Sequence, residues 1–114
     1  MSGISTHVLD TARGKPAAEV AVRLEREEAP ESWKLVGEGR TDANGRCAQL
    51  AGAGGPLAAG NYRLIFDTKS YFALQKIEGL YPQVQVQFTV RAGEQHFHIP
   101  LLLSPNGYTT YRGS

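Results

Sequence analysis

Apolar and polar residues alternate along most of this chain. The cleanest case is Val84, Val86, Phe88 and Val90, with Gln85, Gln87 and Thr89 between them. Successive side chains of a strand point to opposite faces, so a two-residue period predicts a β-strand with one buried face. The same period predicts strands over residues 4–9, 20–25, 33–40 and 62–66. In the first of these, Ile4, Thr6 and Val8 share one face, while Ser5, His7 and Leu9 share the other. Near the end of the chain, His96 and His98 point one way from a strand whose Phe97, Ile99 and Leu101 point the other.

Breaks in the pattern supply the connections. Residues 10–16 (DTARGKP) read as a loop, and residues 27–32, charged and holding Pro30, as a connector. Residues 41–45 read as a tight turn, with Asn44-Gly45 supplying the positive φ that hairpins require. Residues 51–60 are small and Gly-rich, a flexible loop, and residues 91–94 turn the chain into the histidine strand. Ser104-Pro105-Asn106-Gly107 predicts a reversal that lets 108–112 pair back alongside that strand. Asp67 or Thr68 can cap one short helix through Lys76. Seven or eight short strands, frequent turns and one short helix predict an all-β sandwich.

A chain of 114 residues holds one core but not two, so residues 1–114 read as a single domain. With 12 Lys+Arg against 11 Asp+Glu, nothing points to a nucleic-acid or anionic-membrane partner. The lone Cys47 excludes an internal disulfide framework. No apolar run approaches the ~20 residues of a membrane helix. The opening MSGISTHVLD lacks the pattern of a signal peptide, and the end is not a peroxisomal Ser-Lys-Leu. The expected compartment is cytoplasmic.

The candidate chemistry lies on the faces the core does not need. His7 is opposite Val8, and His96 and His98 share a side, so alternation alone does not choose between them. An H-x-H pair on a strand can also chelate a metal, with His7 as a third ligand. Glu94 is the only carboxylate nearby in sequence, and no Cys or acidic cluster supports that reading. Arg46 follows the 41–45 turn; its planar guanidinium suits an oxygen-rich substrate and a developing oxyanion. Arg40 is a lesser candidate. Cys47 has no histidine near it in sequence, and no nucleophile elbow or phosphate-binding glycine loop is present. The final Tyr-Arg-Gly-Ser is expected to return, with its terminal carboxylate, to the neighbourhood of His96 and His98.

These stretches carry a family resemblance. HFHIPLLLSPNGYTTYRGS (96–114) resembles the C-terminal signature of the 5-hydroxyisourate hydrolases, transthyretin-related enzymes of urate breakdown. STHVLDTARGKPAAEVAVRL (5–24) is similar to the N-terminal signature of that superfamily, and TDANGRC (41–47) falls between them in the family's order. The resemblance implies a transthyretin-like sandwich with one short helix and hydrolysis of the N1–C6 amide of 5-hydroxyisourate. It implies His98 as the catalytic histidine, with His96 left to flank or orient it, and His7 and Arg46 as active-site residues. Tyr111 is implied to contribute to the substrate site, with Ser114 close to the catalytic histidine. The family has histidine at position 7 of the V-L-D block, where the hormone-carrying transthyretins have lysine. No metal or organic cofactor is expected.

Histidines opposite an apolar set lie on the outside of a sandwich, where water weakens electrostatic catalysis. Burial against another subunit removes that water, so an oligomer with sites between subunits is expected; the resemblance implies a homotetramer built as a dimer of dimers. The competing readings are a transthyretin-like carrier of small aromatic ligands and a sandwich with no chemistry.

Overall fold

The structure is a computed structural model that describes residues 3–51 and 57–113. Ser114 and residues 52–56 of the predicted 51–60 loop lie outside the described residues. In chain order the elements are β1 (Gly3–Asp10), β2 (Lys15–Pro16), β3 (Ala21–Ala29), β4 (Ser32–Arg40), β5 (Arg46–Ala51), β6 (Gly60–Phe66), α1 (Thr68–Ala73), β7 (Val84–Val90), β8 (His96–Ser104) and β9 (Gly107–Thr110). The expected sandwich forms. The short β2 falls inside the predicted 10–16 loop.

Two sheets face each other. In one, β8 lies between β1 and β9, while β5 pairs with the first part of β1 and β2 with its last two residues. The other runs β4-β3-β6-β7. Alternation sends Ile4, Val8, Phe97, Ile99, Leu101 and Leu103 inward from the first sheet. They meet Val22, Leu24, Tyr62, Leu64, Phe66 and Val84 from the second. Each such side chain removed from water contributes roughly 1.5–3 kcal/mol, which makes a one-residue slip of any inner strand prohibitive.

Three expectations change in detail. Residues 27–32 are not a loose connector: β3 and β4 pair through Glu27↔Trp33 and Ala29↔Ser32, and the chain reverses within Pro30-Glu31. The 41–45 turn does not join paired strands; it hands the chain from β4 in one sheet to β5 in the other. There only Gly45 has positive φ (78°), while Asn44 does not. The helix ends at Ala73, short of Lys76; Asp67 caps it by accepting from the Ser70 amide at 3.1 Å.

The pairing with most consequence for the site is β1 with β8, which run parallel from opposite ends of the sequence. Its register sets Ser5 opposite His98 and His7 opposite Pro100. The buried Thr6 hydroxyl donates to the Ile99 carbonyl at 2.6 Å and pins that register from the core side. At the far end of β1, the buried Asp10 carboxylate accepts from the Ala12 and Arg13 amides and from the Tyr71 hydroxyl at 2.7 Å. That bond ties β1 to α1.

Candidate active site

Three strands of one sheet deliver the predicted residues to its outer face. His7 comes from the middle of β1, Arg46 from the start of β5 and His98 from β8. Antiparallel pairing sets His7 opposite Arg46. The two imidazoles lie with ring centroids 6.5 Å apart, tilted by 35°. His7 and His98 are half-buried, whereas His96, one strand pitch away, is exposed.

The 41–45 turn aims Arg46. The Asp42 carboxylate accepts from the Asn44 amide at 2.8 Å and the Arg46 amide at 3.0 Å. The Arg46 amide bond in particular holds the Asp42 carboxyl below the usual carboxylate range. A side chain on residue 45 would run into the Val8 carbonyl, so the turn needs glycine for space as well as for φ. His7 leans on the same turn: its Nε2–H donates to the Asn44 carbonyl at 2.9 Å. A carbonyl only accepts, so the neutral His7 ring carries its proton on Nε2 and presents a bare Nδ1 to the face.

His98 is enclosed on two sides. Its Nδ1 lies 2.9 Å from the Ser5 hydroxyl. On the other side the tail folds against it, with the Gly113 amide donating to the His98 carbonyl at 2.7 Å. A Cβ on residue 113 would stand 2.7 Å from His98 Cδ2 and 3.3 Å from Pro100 Cγ, so only glycine fits. Burial, then the neighbouring charges of His7, His96 and Arg46, push the His98 pKa below the ordinary histidine value. The ring therefore stays neutral, and basic, at neutral pH.

The tail is held through Gly113. Arg112 binds the Glu94 carboxylate at 3.1 Å, donates to the His96 carbonyl at 3.1 Å and lies 4.1 Å above the Phe97 ring centroid. Glu94 is thus engaged with Arg112, whose hydrogen bond is the first cause of its lowered pKa. Continuing the β8–β9 register sets Tyr111 opposite Pro100; Tyr111 is 54% exposed and borders a groove with Phe88, Phe97 and Thr110. Arg40 is directed elsewhere, donating to the Glu19 carbonyl at 3.3 Å. Burial raises the Cys47 pKa, which suits a thiol packed against the core and not a nucleophile. Among the described residues, no three His, Cys, Asp or Glu side chains gather around one point. Ser5 is the site residue that sequence reasoning missed. Alternation did give it the face of His7, but nothing local announces that β1 lies beside β8.

Known proteins bear on this arrangement. The model of the HIUase/Transthyretin family matches residues 4–113. The chain belongs to that family. It is 46% identical over 114 residues to the 5-hydroxyisourate hydrolase of Mus musculus, covering 99% of this chain and 96% of that one. Among solved structures, 5-hydroxyisourate hydrolase from Klebsiella pneumoniae aligns over 100% of both chains with a TM-score of 0.86 and 41% identity. Transthyretin from Sparus aurata aligns over 99% of this chain and 97% of its own, with a TM-score of 0.90 and 32% identity. Backbone shape alone does not separate the two branches of the family; the higher sequence identities fall with the hydrolases.

Proposed function

We propose that this chain is a 5-hydroxyisourate hydrolase of urate breakdown, a single domain that opens the N1–C6 amide of its substrate to give 2-oxo-4-hydroxy-4-carboxy-5-ureidoimidazoline. The observation that carries this reading is the convergence of His7, Arg46 and His98 on one sheet face, with His98 held in its neutral form.

His98 acts as general base. It takes a proton from water as the water oxygen bonds to C6, its lowered pKa keeping the ring in the unprotonated form a base needs at neutral pH. Arg46 holds the ring oxygens and stabilises the oxyanion that develops on the C6 carbonyl. His7 positions water or substrate, and its bare Nδ1 relays to the departing N1 the proton that His98 took from water, so both rings are neutral again once the amide bond has broken. Tyr111 shapes the pocket, and Ser114 helps orient the attacking water. The histidine face is open in a single chain, and the partly exposed Leu9 and Leu102 share it. Packing it against a second copy excludes water, which favours an oligomer with sites between subunits; the size proposed for it, a homotetramer built as a dimer of dimers, comes from the family resemblance. No described helix is long and apolar enough to cross a membrane; the proposed location is cytoplasmic. The reaction uses no metal or organic cofactor.

The carrier reading is disfavoured by His7 in place of the lysine of hormone-carrying transthyretins. The deciding experiment generates 5-hydroxyisourate from urate with urate oxidase, adds this protein and follows decay of the intermediate's near-ultraviolet absorbance with and without chelator. Fast, chelator-resistant decay supports the hydrolase. Decay at the uncatalysed rate from a folded oligomer would move the assignment to a ligand carrier.

A further inference from the structure

We infer that Ser5 is a positioning residue for His98: its hydroxyl accepts the Nδ1 proton of the imidazole, fixing the tautomer in which Nε2 is the basic atom. The inference rests on the reading of His98 as general base.

The Ser5–His98 contact is built by the backbone. Parallel register makes the two residues direct partners across β1 and β8, with Ser5 Oγ 2.9 Å from Nδ1. The Thr6–Ile99 bond holds that register one residue further on. Gly113 lies against the Cδ2 edge of the ring, the edge away from Nδ1, so the ring cannot swing away from Ser5 without moving the tail. Among the described residues, Nδ1 has Ser5 as partner and Nε2 has none.

A hydroxyl can donate to Nδ1 or accept from it, and the two arrangements have opposite consequences. If Ser5 donated, the neutral ring would carry its proton on Nε2 and would have no lone pair for water. If Ser5 accepts, Nε2 is bare. When Nε2 then takes the water proton, the imidazolium still donates Nδ1–H to Ser5, so no hydrogen bond reverses during the step. A serine also orients the ring without a negative charge. A carboxylate in its place would stabilise the imidazolium and oppose the neighbouring charges of His7, His96 and Arg46.

The test combines 15N NMR of the imidazoles with steady-state kinetics. In the wild-type protein above the His98 pKa, the expected signature is a protonated Nδ1 and an unprotonated Nε2. Ser5→Ala should shift His98 toward the Nε2–H tautomer and lower kcat on the order of tenfold, part of the ~10²–10⁴ that a general base contributes. KM should change little, and Ser5→Thr, which restores a hydroxyl, should recover both kcat and tautomer. An Nε2–H tautomer in the wild-type protein would overturn the inference, whether or not the alanine variant folds. So would wild-type kcat in a folded Ser5→Ala variant while His98→Ala is inactive. Full turnover by His98→Ala would remove the base assignment beneath it.

Discussion

The rings of His7 and His98 lie 6.5 Å apart although they stand near opposite ends of the chain. No local interaction produces that distance. It follows from β1 and β8 running parallel in one sheet, and the proposed chemistry depends on it because each imidazole has a different nitrogen free. His7 spends Nε2 on the Asn44 carbonyl, while His98 spends Nδ1 on Ser5.

His98→Ala should lower kcat by about 10²–10⁴ and leave the fold and apparent size in place, because the ring is not part of the core. Stopped-flow decay of 5-hydroxyisourate, with circular dichroism and size-exclusion chromatography as controls, checks both halves.

The rate should hold below the pH at which an ordinary histidine base titrates, ~6.5. Burial and the charges of His7, His96 and Arg46 disfavour the protonated ring, so His98 stays basic to lower pH and the acidic limb of kcat/KM is displaced downward. Removing one of those charges with Arg46→Gln should move the His98 titration upward. NMR titration of the ring reads this even where turnover is too slow to measure.

Gly113→Ala should cost activity far more than stability. The added methyl meets His98 Cδ2, so either the ring turns from Ser5 or the tail lifts. A loss of kcat with a nearly unchanged melting temperature is the expected result; wild-type kcat would contradict the contact.

Arg112→Ala should loosen the same tail, since one guanidinium supplies the bonds to Glu94 and the His96 carbonyl and the stacking on Phe97. Arg112→Lys should recover only part of the effect, because an ammonium does not reproduce the planar fork. Hydrogen exchange at the Gly113 amide reports the loosening.

Tyr71→Phe tests the fold away from the chemistry. It removes the hydroxyl that donates to the buried Asp10, leaving that oxygen without this partner, at a cost of about 1–3 kcal/mol. Denaturant unfolding should register the loss while the kinetics of the folded protein stay near wild type.

Much of this was legible before any tertiary information. Period-two alternation determined the strands and their inner faces, from Ile4, Thr6 and Val8 to Phe97, Ile99 and Leu101, because burial acts on each residue through its own side chain. The turn ending at Gly45 and the reversal at Pro105-Asn106 were equally local, although Asn44 did not take up the positive φ expected of it. The motifs around His7, Arg46 and His98 named the candidates.

Partnership was what the tertiary structure decided. Alternation says which face a strand buries but not which strand lies beside it, so Ser5 gained its role only through the parallel β1–β8 register. The 41–45 turn looked like a hairpin because Asn-Gly encodes a backbone conformation, not a destination; the packing of two sheets sent β5 to β1. Sequence thus determined each residue's conformation and side. The competition among strands for backbone hydrogen bonds and a shared core, a property of the whole chain, determined its neighbours.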